Sequence, residues 1–439
     1  DFHRLMPRRV KNILIVSSLY DKFILEEEGR LAERLVSEYL DLNLQNAPQI
    51  RRASNSTEAF TMLEEETYDC VLTMLRVGSS MDAFRFGREV KVRHPTVAVA
   101  LLAHHTLDLT ATLERADPEG IDDVFVWNGD VKILLALIKA VEDEMNVDHD
   151  TAVGGVRVIV LVEDSPYFTS MYLPLLYTNL VRQTQAVMSD SVTHVQRLLR
   201  MRARPKVLLA RTYEQAVALC ERYRPFLLGV ISDIRYPRGG VLDPHAGLAF
   251  TDWLRRERPD LPILLQSSEA NNREAAEQRG AYFAQKGDPD LLQRIDEFIR
   301  EYFGFGDFVF RLPTGEPVAR VRNVMEMSRA IQEVPDESLR YHSNRNHFST
   351  WLRARTEFAL AETIAPVTVD QFPSLQGLRT YLAAQFRTLE RRRHEGEVVE
   401  FSAEMAGRAR IKRICAGSIG RKARAISNMN HILDRQNLA

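Results

Sequence analysis

Residues 156–165 read Val-Arg-Val-Ile-Val-Leu-Val-Glu-Asp-Ser. Six of the first seven are apolar and mostly β-branched, with no alternation of polar and apolar positions, the pattern of a strand buried on both faces of a parallel sheet. Two acids follow where that strand would end. Further along, Lys206–Ala210, Phe226–Ser232, Pro262–Gln266 and Ala281–Gln285 repeat the apolar run, separated by helix-length stretches. Five strands alternating with helices predict a doubly wound α/β sheet.

Toward the N-terminus the pattern occurs a second time. Residues 12–17, 69–75, 97–103 and 121–127 are apolar runs, with amphipathic stretches such as Glu27–Leu40 between them. Laid side by side, Ile-Val-Ser-Ser-Leu (15–19) matches Leu-Val-Glu-Asp-Ser (161–165). Val-Leu-Thr-Met-Leu-Arg (71–76) matches Val-Ile-Ser-Asp-Ile-Arg (230–235), and Trp-Asn-Gly-Asp (127–130) matches Gln-Lys-Gly-Asp (285–288). Two copies of one fold account for this, with acidic residues at the strand ends of the second copy only. The polar stretch Asn146–Gly155, ending in two glycines, reads as the linker between them.

Beyond Gly304-Phe305-Gly306 strand runs almost vanish, and Thr350–Ile364 and Leu375–Arg393 read as charged amphipathic helices. Pro335-Asp336-Glu337-Ser338 has the proline and early acids of a helix start. The expected division is therefore 1–150, 151–304 and 305–439, the last mainly helical. Within the second copy, residues 165–204 carry apolar residues at helical spacing through Leu173, Leu176, Leu180, Val187, Val195 and Leu198. That stripe predicts a long helix burying itself against another domain or against a second chain in a homodimer.

Composition excludes several classes. The 439 residues hold 58 Lys and Arg against 60 Asp and Glu, so no global charge draws the chain to nucleic acid or an anionic membrane. The longest apolar runs fall far short of the roughly 18 residues of a membrane span. Cys70, Cys220 and Cys415 are widely spaced, which argues against a disulfide framework or a zinc site and for a cytoplasmic setting. His104-His105 and His342 with His347 lack a third ligand at a useful spacing, and Gly239-Gly240 marks a turn. Numbering opens at Asp1 without an initiator methionine, so a start inside a longer product is expected.

In open parallel sheets, ligands bind beyond the carboxyl ends of the strands where strand order reverses. In the second copy those ends carry Glu163, Asp164, Asp233, Ser267 and Lys286. Three converging carboxylates repel one another unless a divalent cation sits among them, and hard oxygen ligands suit Mg²⁺. A carboxylate can accept a phosphoryl group as nucleophile, and phosphoryl transfer needs little beyond positioning and charge neutralisation; Asp233 and Lys286 suit those tasks. A Glu-Asp pair alone is ordinarily a helix cap, and a strand-end lysine alone is ordinarily solvated. Here four such elements stand in order.

Val162-Glu163-Asp164, Ser232-Asp233-Ile234-Arg235-Tyr236-Pro237, Gln266-Ser267-Ser268 and Lys286 resemble the motifs of response-regulator receiver domains over residues 156–303. The resemblance implies a flavodoxin-like fold for each copy. It further implies that Glu163, Asp164 and Asp233 hold Mg²⁺, that Asp233 becomes an aspartyl phosphate, that Ser267 binds the phosphoryl group and that Lys286 pairs with it. Phe283 matches the aromatic switch position, and a sensor histidine kinase or a small phosphodonor is the implied partner in a two-component system. Two departures stand out. Asp233 lies 69 positions after Asp164, more than is usual in the family, and Gly287 replaces the proline that normally follows the lysine. In the first copy Ser17 and Ser18 replace the acid pair, Met74 the acceptor and Asn128 the lysine, so it resembles a pseudo-receiver.

Residues 387–424 hold eleven basic residues against five acidic ones, which raises a DNA-binding response regulator as an alternative, although no helix-turn-helix pattern is visible. Gly417-Ser418-Ile419-Gly420-Arg421-Lys422-Ala423 resembles the Gly-Gly-Lys-Ala opening of the nucleotide-binding domain of phosphoenolpyruvate synthase and pyruvate phosphate dikinase. On that resemblance Lys422 matches a lysine on ATP phosphate, and residues 305–348 look like the segment before that domain. With 17 residues after Lys422, the implication is the regulatory part of such a phosphotransferase, and no complete catalytic domain is expected in this chain.

Overall fold

The structure, a computed structural model, describes residues 4–18, 31–42, 44, 46–75, 77, 81–104, 109, 119–187 and 201–395. The chain divides into two compact units: one carries both copies of the repeat and runs to Phe305, and the other begins its main span at Gly306. No helix among the described residues is long and apolar enough to cross a membrane.

The first copy contains β1 (Asn12–Val16), α1 (Leu31–Asp41), β2 (Gln49–Ala53), α2 (Ser56–Glu65), β3 (Cys70–Met74), α3 (Ala83–Arg93), β4 (Ala98–Ala103), β5 (Asp123–Val126) and α4 (Lys132–Gly154). Its five parallel strands lie in the order β2-β1-β3-β4-β5. Central β3 is buried at every residue, as its apolar run requires. Edge strand β2, Gln-Ile-Arg-Arg-Ala, has no such run; it is partly exposed along most of its length and escapes sequence reading for that reason. Leu14, Val16, Val71, Val99, Leu101, Val124 and Val126 form one face of the core.

The second copy contains β6 (Val158–Val162), α5 (Pro166–Val187), β7 (Lys206–Ala210), α6 (Tyr213–Arg222), β8 (Leu227–Asp233), a hairpin of β9 (Tyr236–Arg238) and β10 (Val241–Asp243), α7 (Ala246–Glu257), β11 (Ile263–Ser267), α8 (Asn272–Gln278), β12 (Tyr282–Gln285) and α9 (Leu291–Tyr302). Its sheet, β7-β6-β8-β11-β12, is parallel throughout. Both sheets thus have the order 2-1-3-4-5 when strands are numbered within each copy, the doubly wound flavodoxin-like arrangement expected. Gly239 and Gly240 turn the hairpin with φ of +62° and +77°, values that a β-carbon disfavours.

One expectation needs correction, and for another the structure selects one of two alternatives. Residues 146–155 are not a linker: α4 runs unbroken to Gly154, and Gly155, at φ +61°, caps it. Asn146, Asp150 and Thr151, among the polar residues that suggested a linker, are buried with partners. Asn146 Oδ1 accepts from Arg8 N and its Nδ2 donates to Arg8 O, while Asp150 Oδ1 accepts from Met6 N. The stripe on α5 is covered within one chain. Leu173, Leu176 and Leu180 are fully buried, the Tyr177 hydroxyl donates to Asp143 of α4, and Gln185 donates to Leu42 O after α1. These positions are therefore closed to a homodimer contact, and residues 188–200 lie outside the described residues.

The second unit begins with a hairpin of β13 (Phe308–Arg311) and β14 (Pro317–Val321), followed by α10 (Val324–Glu333), α11 (Asp336–Asn344), α12 (His347–Ala354), α13 (Phe358–Ile364) and α14 (Leu375–Glu395). It is mainly helical, as expected, and α11 starts after Pro335. The single helix read over Thr350–Ile364 is broken at Thr356, which takes φ +59°. Phe308, Phe310, Met327, Ile331, Trp351 and Phe386 are among its core residues. His342 and His347 face each other, Nδ1 to Nδ1, at 2.8 Å, and His342 Nε2 accepts from Arg311 N. Burial pushes them down to about 3 and about 4, respectively, so both are neutral core histidines near pH 7.

Candidate functional site

β6 ends between its two neighbours β7 and β8, and the chain passes to one side and then the other, which opens a crevice beyond their carboxyl ends. Glu163 and Asp164 follow β6, Asp233 closes β8, Ser267 closes β11, and Lys286 follows β12. Carboxylate oxygens of Glu163, Asp164 and Asp233 lie within 4.8 Å of one another. The Lys286 ammonium donates to Glu163 Oε2 and to Asp233 Oδ2, each at 2.7 Å. Asp233 is 9 % exposed, buried enough to be held and open enough to be reached. Its Oδ1 accepts from Ile234 N at 2.7 Å, so the carboxylate is fixed on both sides.

Electrostatics follow from the crowding. Burial, with the neighbouring Asp233 charge, pushes Glu163 up to about 7 against the pull of Lys286. Asp164 is also raised, by burial and then by Asp233. The cluster is thus short of positive charge, and its donors are hard anionic oxygens, a set that fits Mg²⁺.

Ser267 Oγ accepts two hydrogen bonds, from Glu269 N at 3.1 Å and from Asn272 Nδ2 at 2.8 Å. A hydroxyl has two acceptor positions and one donor, so the Ser267 proton is left to donate elsewhere. Lys286 N donates to Ser267 O at 2.8 Å, which joins the two loops. Phe283 lies inside the core with the Arg273 guanidinium 5.0 Å above its ring. Gly287 takes φ +87°, a value proline cannot reach; the lysine loop has its own shape and still delivers Nζ to both acids. The surplus between Asp164 and Asp233 includes the 22-residue α5 and a 3₁₀ turn, Met201–Ala203, before β7.

Sequence reading missed three contributors. The Phe168 ring lies under Lys286, centroid to Nζ 4.0 Å. Asn272 orients Ser267. Gly247, in the first turn of α7, donates its N–H to Ile234 O, and a β-carbon there would meet Asp233 O at 2.3 Å. A glycine inside a helix start was the one visible signal. Gly247→Ala is expected to push the Asp233 backbone aside and to cost about 1–3 kcal/mol of stability, measured by urea unfolding; an unchanged midpoint would show that the loop gives way freely.

The corresponding strand ends of the first copy carry no such cluster; among the described residues, the three carboxylates of the second copy form the one group with metal-ligand geometry. Met74 is buried, and Asn128 Oδ1 accepts from Asp130 N in a local turn. Lys422 and most of the basic stretch 387–424 lie outside the described residues.

No family model matches the chain, and no curated protein does. Solved structures similar to parts of it include a two-component system response regulator/GGDEF domain protein at 18% identity, covering 66% of this chain and 98% of that one, with a TM-score of 0.27. Another is a response regulator receiver domain protein from Clostridium thermocellum, at 20% identity over 31% of this chain and 97% of that one, TM-score 0.23. NtrX from Brucella abortus shares 10% identity over 85% and 80% of the two chains, TM-score 0.27. The fold described above rests on the strand order of this chain itself.

Proposed function

We propose that the second copy is a phosphoacceptor module of two-component signalling, with Asp233 taking a phosphoryl group from a phosphohistidine of a sensor kinase or from a small phosphodonor. The observation that carries this reading is the Lys286 ammonium bridging Glu163 and Asp233 at 2.7 Å, beside a third carboxylate and a serine hydroxyl with a proton to donate. A carboxylate oxygen of Asp233 attacks phosphorus, the bond from phosphorus to the donor nitrogen breaks, and its electron pair leaves with the imidazole. Lys286 neutralises charge on the transferred group, and the Ser267 hydroxyl donates to one of its oxygens. Glu163, Asp164 and Asp233 would hold Mg²⁺, which when bound offsets the charge of the phosphoryl oxygens. The new charge on Asp233 then alters the balance between two arrangements of the surrounding loops, with Phe283 among the side chains that respond.

On the same reading the first copy is a pseudo-receiver. Ser17, Ser18, Met74 and Asn128 supply neither a carboxylate to accept the phosphoryl group nor a cation site, which leaves it packing and partner binding. Mass measurement after exposure to acetyl phosphate tests the acceptor reading.

A second test is the pH dependence of Mg²⁺ binding. Glu163, raised to about 7, must lose its proton before it can serve as a ligand. Affinity is therefore expected to level off above pH 7 and to fall about tenfold per unit below it, one proton being displaced per ion. Calorimetric titrations between pH 5.5 and 8.5 would read this directly. In Glu163→Gln the slope disappears and affinity is low throughout; a pH-independent wild type would count against Glu163 as a ligand.

A further inference from the structure

Lys286 has three N–H donors. Two are spent on Glu163 and Asp233, and the remaining face of the ammonium rests on Phe168, 4.0 Å from the ring centroid. Phe168 sits in the first turn of α5 and stacks on Tyr172, one turn on, at 5.8 Å and 17°. Between them is Ser170, whose hydroxyl donates to Pro166 O at 2.6 Å and accepts the Val126 N–H at 2.8 Å. Val126 ends β5, the edge strand of the first sheet, and pairs only with Ala103 of β4. Its N–H points away from the sheet, where a strand edge offers an unpaired donor. The other end of β5 is also tied to the second copy, because Asp123 pairs with Arg211, just after β7, at 2.8 Å.

We propose that Phe168 is a positioning residue that seats Lys286, and that the first turn of α5 carries the state of the acceptor site to the edge of the first sheet through Ser170. The proposal deepens the phosphoacceptor reading and rests on it for the signal that travels. Phosphorylation adds negative charge on Asp233, and Lys286 is the nearest cation to answer it. Any movement of Nζ toward the new oxygens withdraws it from the Phe168 ring and weakens an attraction that depends on close approach. Ser170 is bonded to Pro166 O within the same turn, so the turn moves as one piece. What moves with it is the acceptor that holds the Val126 N–H. This gives the first copy a task that needs no acidic residues: it reads the acceptor site across a shared helix.

The experiment is hydrogen exchange resolved to the Val126 amide, in wild type, Lys286→Met, Phe168→Ala and the double variant, with the amide of Leu14 in interior strand β1 as the control for the fold. Each single substitution is expected to speed exchange at Val126 about two- to fivefold, the range set by one cation–ring contact, and to leave Leu14 unchanged. The double variant should exchange no faster than the faster single one. Phe168→Tyr, which keeps the ring face, should restore wild-type exchange, and Phe168→Leu, which keeps bulk without the ring, should not. Exchange at Val126 that ignores Lys286→Met, or effects of the two substitutions that multiply, would overturn the proposal, as would rescue by leucine.

Adding Mg²⁺ and acetyl phosphate, with intact mass read in parallel, separates the proposal from the reading beneath it. Phosphate uptake with Val126 unmoved overturns the coupling and leaves the acceptor standing. Absence of uptake removes the acceptor reading, and the substitution arm alone then decides whether Lys286 and Val126 are coupled.

Discussion

Incubated with Mg²⁺ and acetyl phosphate, the wild-type chain is expected to gain one phosphate, and Asp233→Asn none. The substitution is nearly isosteric. Asparagine can still accept the Ile234 N–H that Asp233 Oδ1 takes at 2.7 Å, so the backbone of the loop has no reason to move. On the proposed mechanism, what disappears is the anionic oxygen that would attack phosphorus and one of three carboxylates that would hold the cation. Lys286→Met should retain some uptake at a rate lowered by about 10²–10³, the usual cost of removing one preorganised charge-stabilising donor. Intact mass gives the stoichiometry, and omission of Mg²⁺ gives the metal dependence. Uptake by Asp233→Asn at the wild-type rate would place the acceptor on another side chain. Uptake of two phosphates by wild type would show that the first copy is also active, against the reading of Ser17, Ser18, Met74 and Asn128.

The second large effect concerns stability. Asp143, in the middle of α4, is completely buried. It receives the Arg204 guanidinium at 2.8 Å on both oxygens, together with the Tyr177 hydroxyl and the Val207 N–H at 3.0 Å each. Lys206, also fully buried, lies 3.6 Å from Asp143 and 2.9 Å from Asp150. One carboxylate of the helix that closes the first copy thus satisfies the entry to β7 and the side of α5 in the second. Asp143→Ala leaves Arg204 buried without its counter-charge and the Val207 N–H and Tyr177 O–H without acceptors. The expected loss is about 3–5 kcal/mol, the range found when one partner of a buried pair is removed. Urea unfolding would read it as a lower midpoint for the unit that ends at Phe305.

A surface pair gives the contrast. Arg224 and Glu257 approach to 2.6 Å with side chains 56% and 40% exposed, and Glu257→Ala should cost only about 0–1 kcal/mol because water screens the pair. Equal losses in the two variants would mean that the buried network contributes no more than a solvated one.

Much of the fold was legible because parallel sheets write themselves into the sequence. β3, β6, β8 and β11 are buried along their whole length, and a strand covered on both faces can be made of little but apolar residues. β2 is an edge strand, so Gln49, Arg51 and Arg52 are acceptable there, and no run of apolar residues announces it. Asn146 to Gly155 misleads for the opposite reason. Polar residues resemble a linker until their partners are known, and those partners, Met6, Arg8 and Lys206, are 56 to 144 positions away. The stripe on α5 was visible, whereas its cover was not.

The proposed acceptor site divides the same way. Glu163, Asp164, Asp233, Ser267 and Lys286 stand at strand ends, and strand ends can be counted along a chain; the sequence alone therefore determined the chemistry on offer, the presence of two copies of one α/β fold, and which copy carries the acids. Tertiary structure alone decided that Lys286 reaches both Glu163 and Asp233, that the Ser267 proton is left to donate, that Gly247 must lack a β-carbon, and that Phe168 lies under the lysine. It also decided that α4 and α5 bind the two copies into one unit. The physical reason is range: the order of apolar and acidic residues is a local property, but a hydrogen bond or a buried charge pair exists only once folding has brought distant positions within about 3 Å of each other.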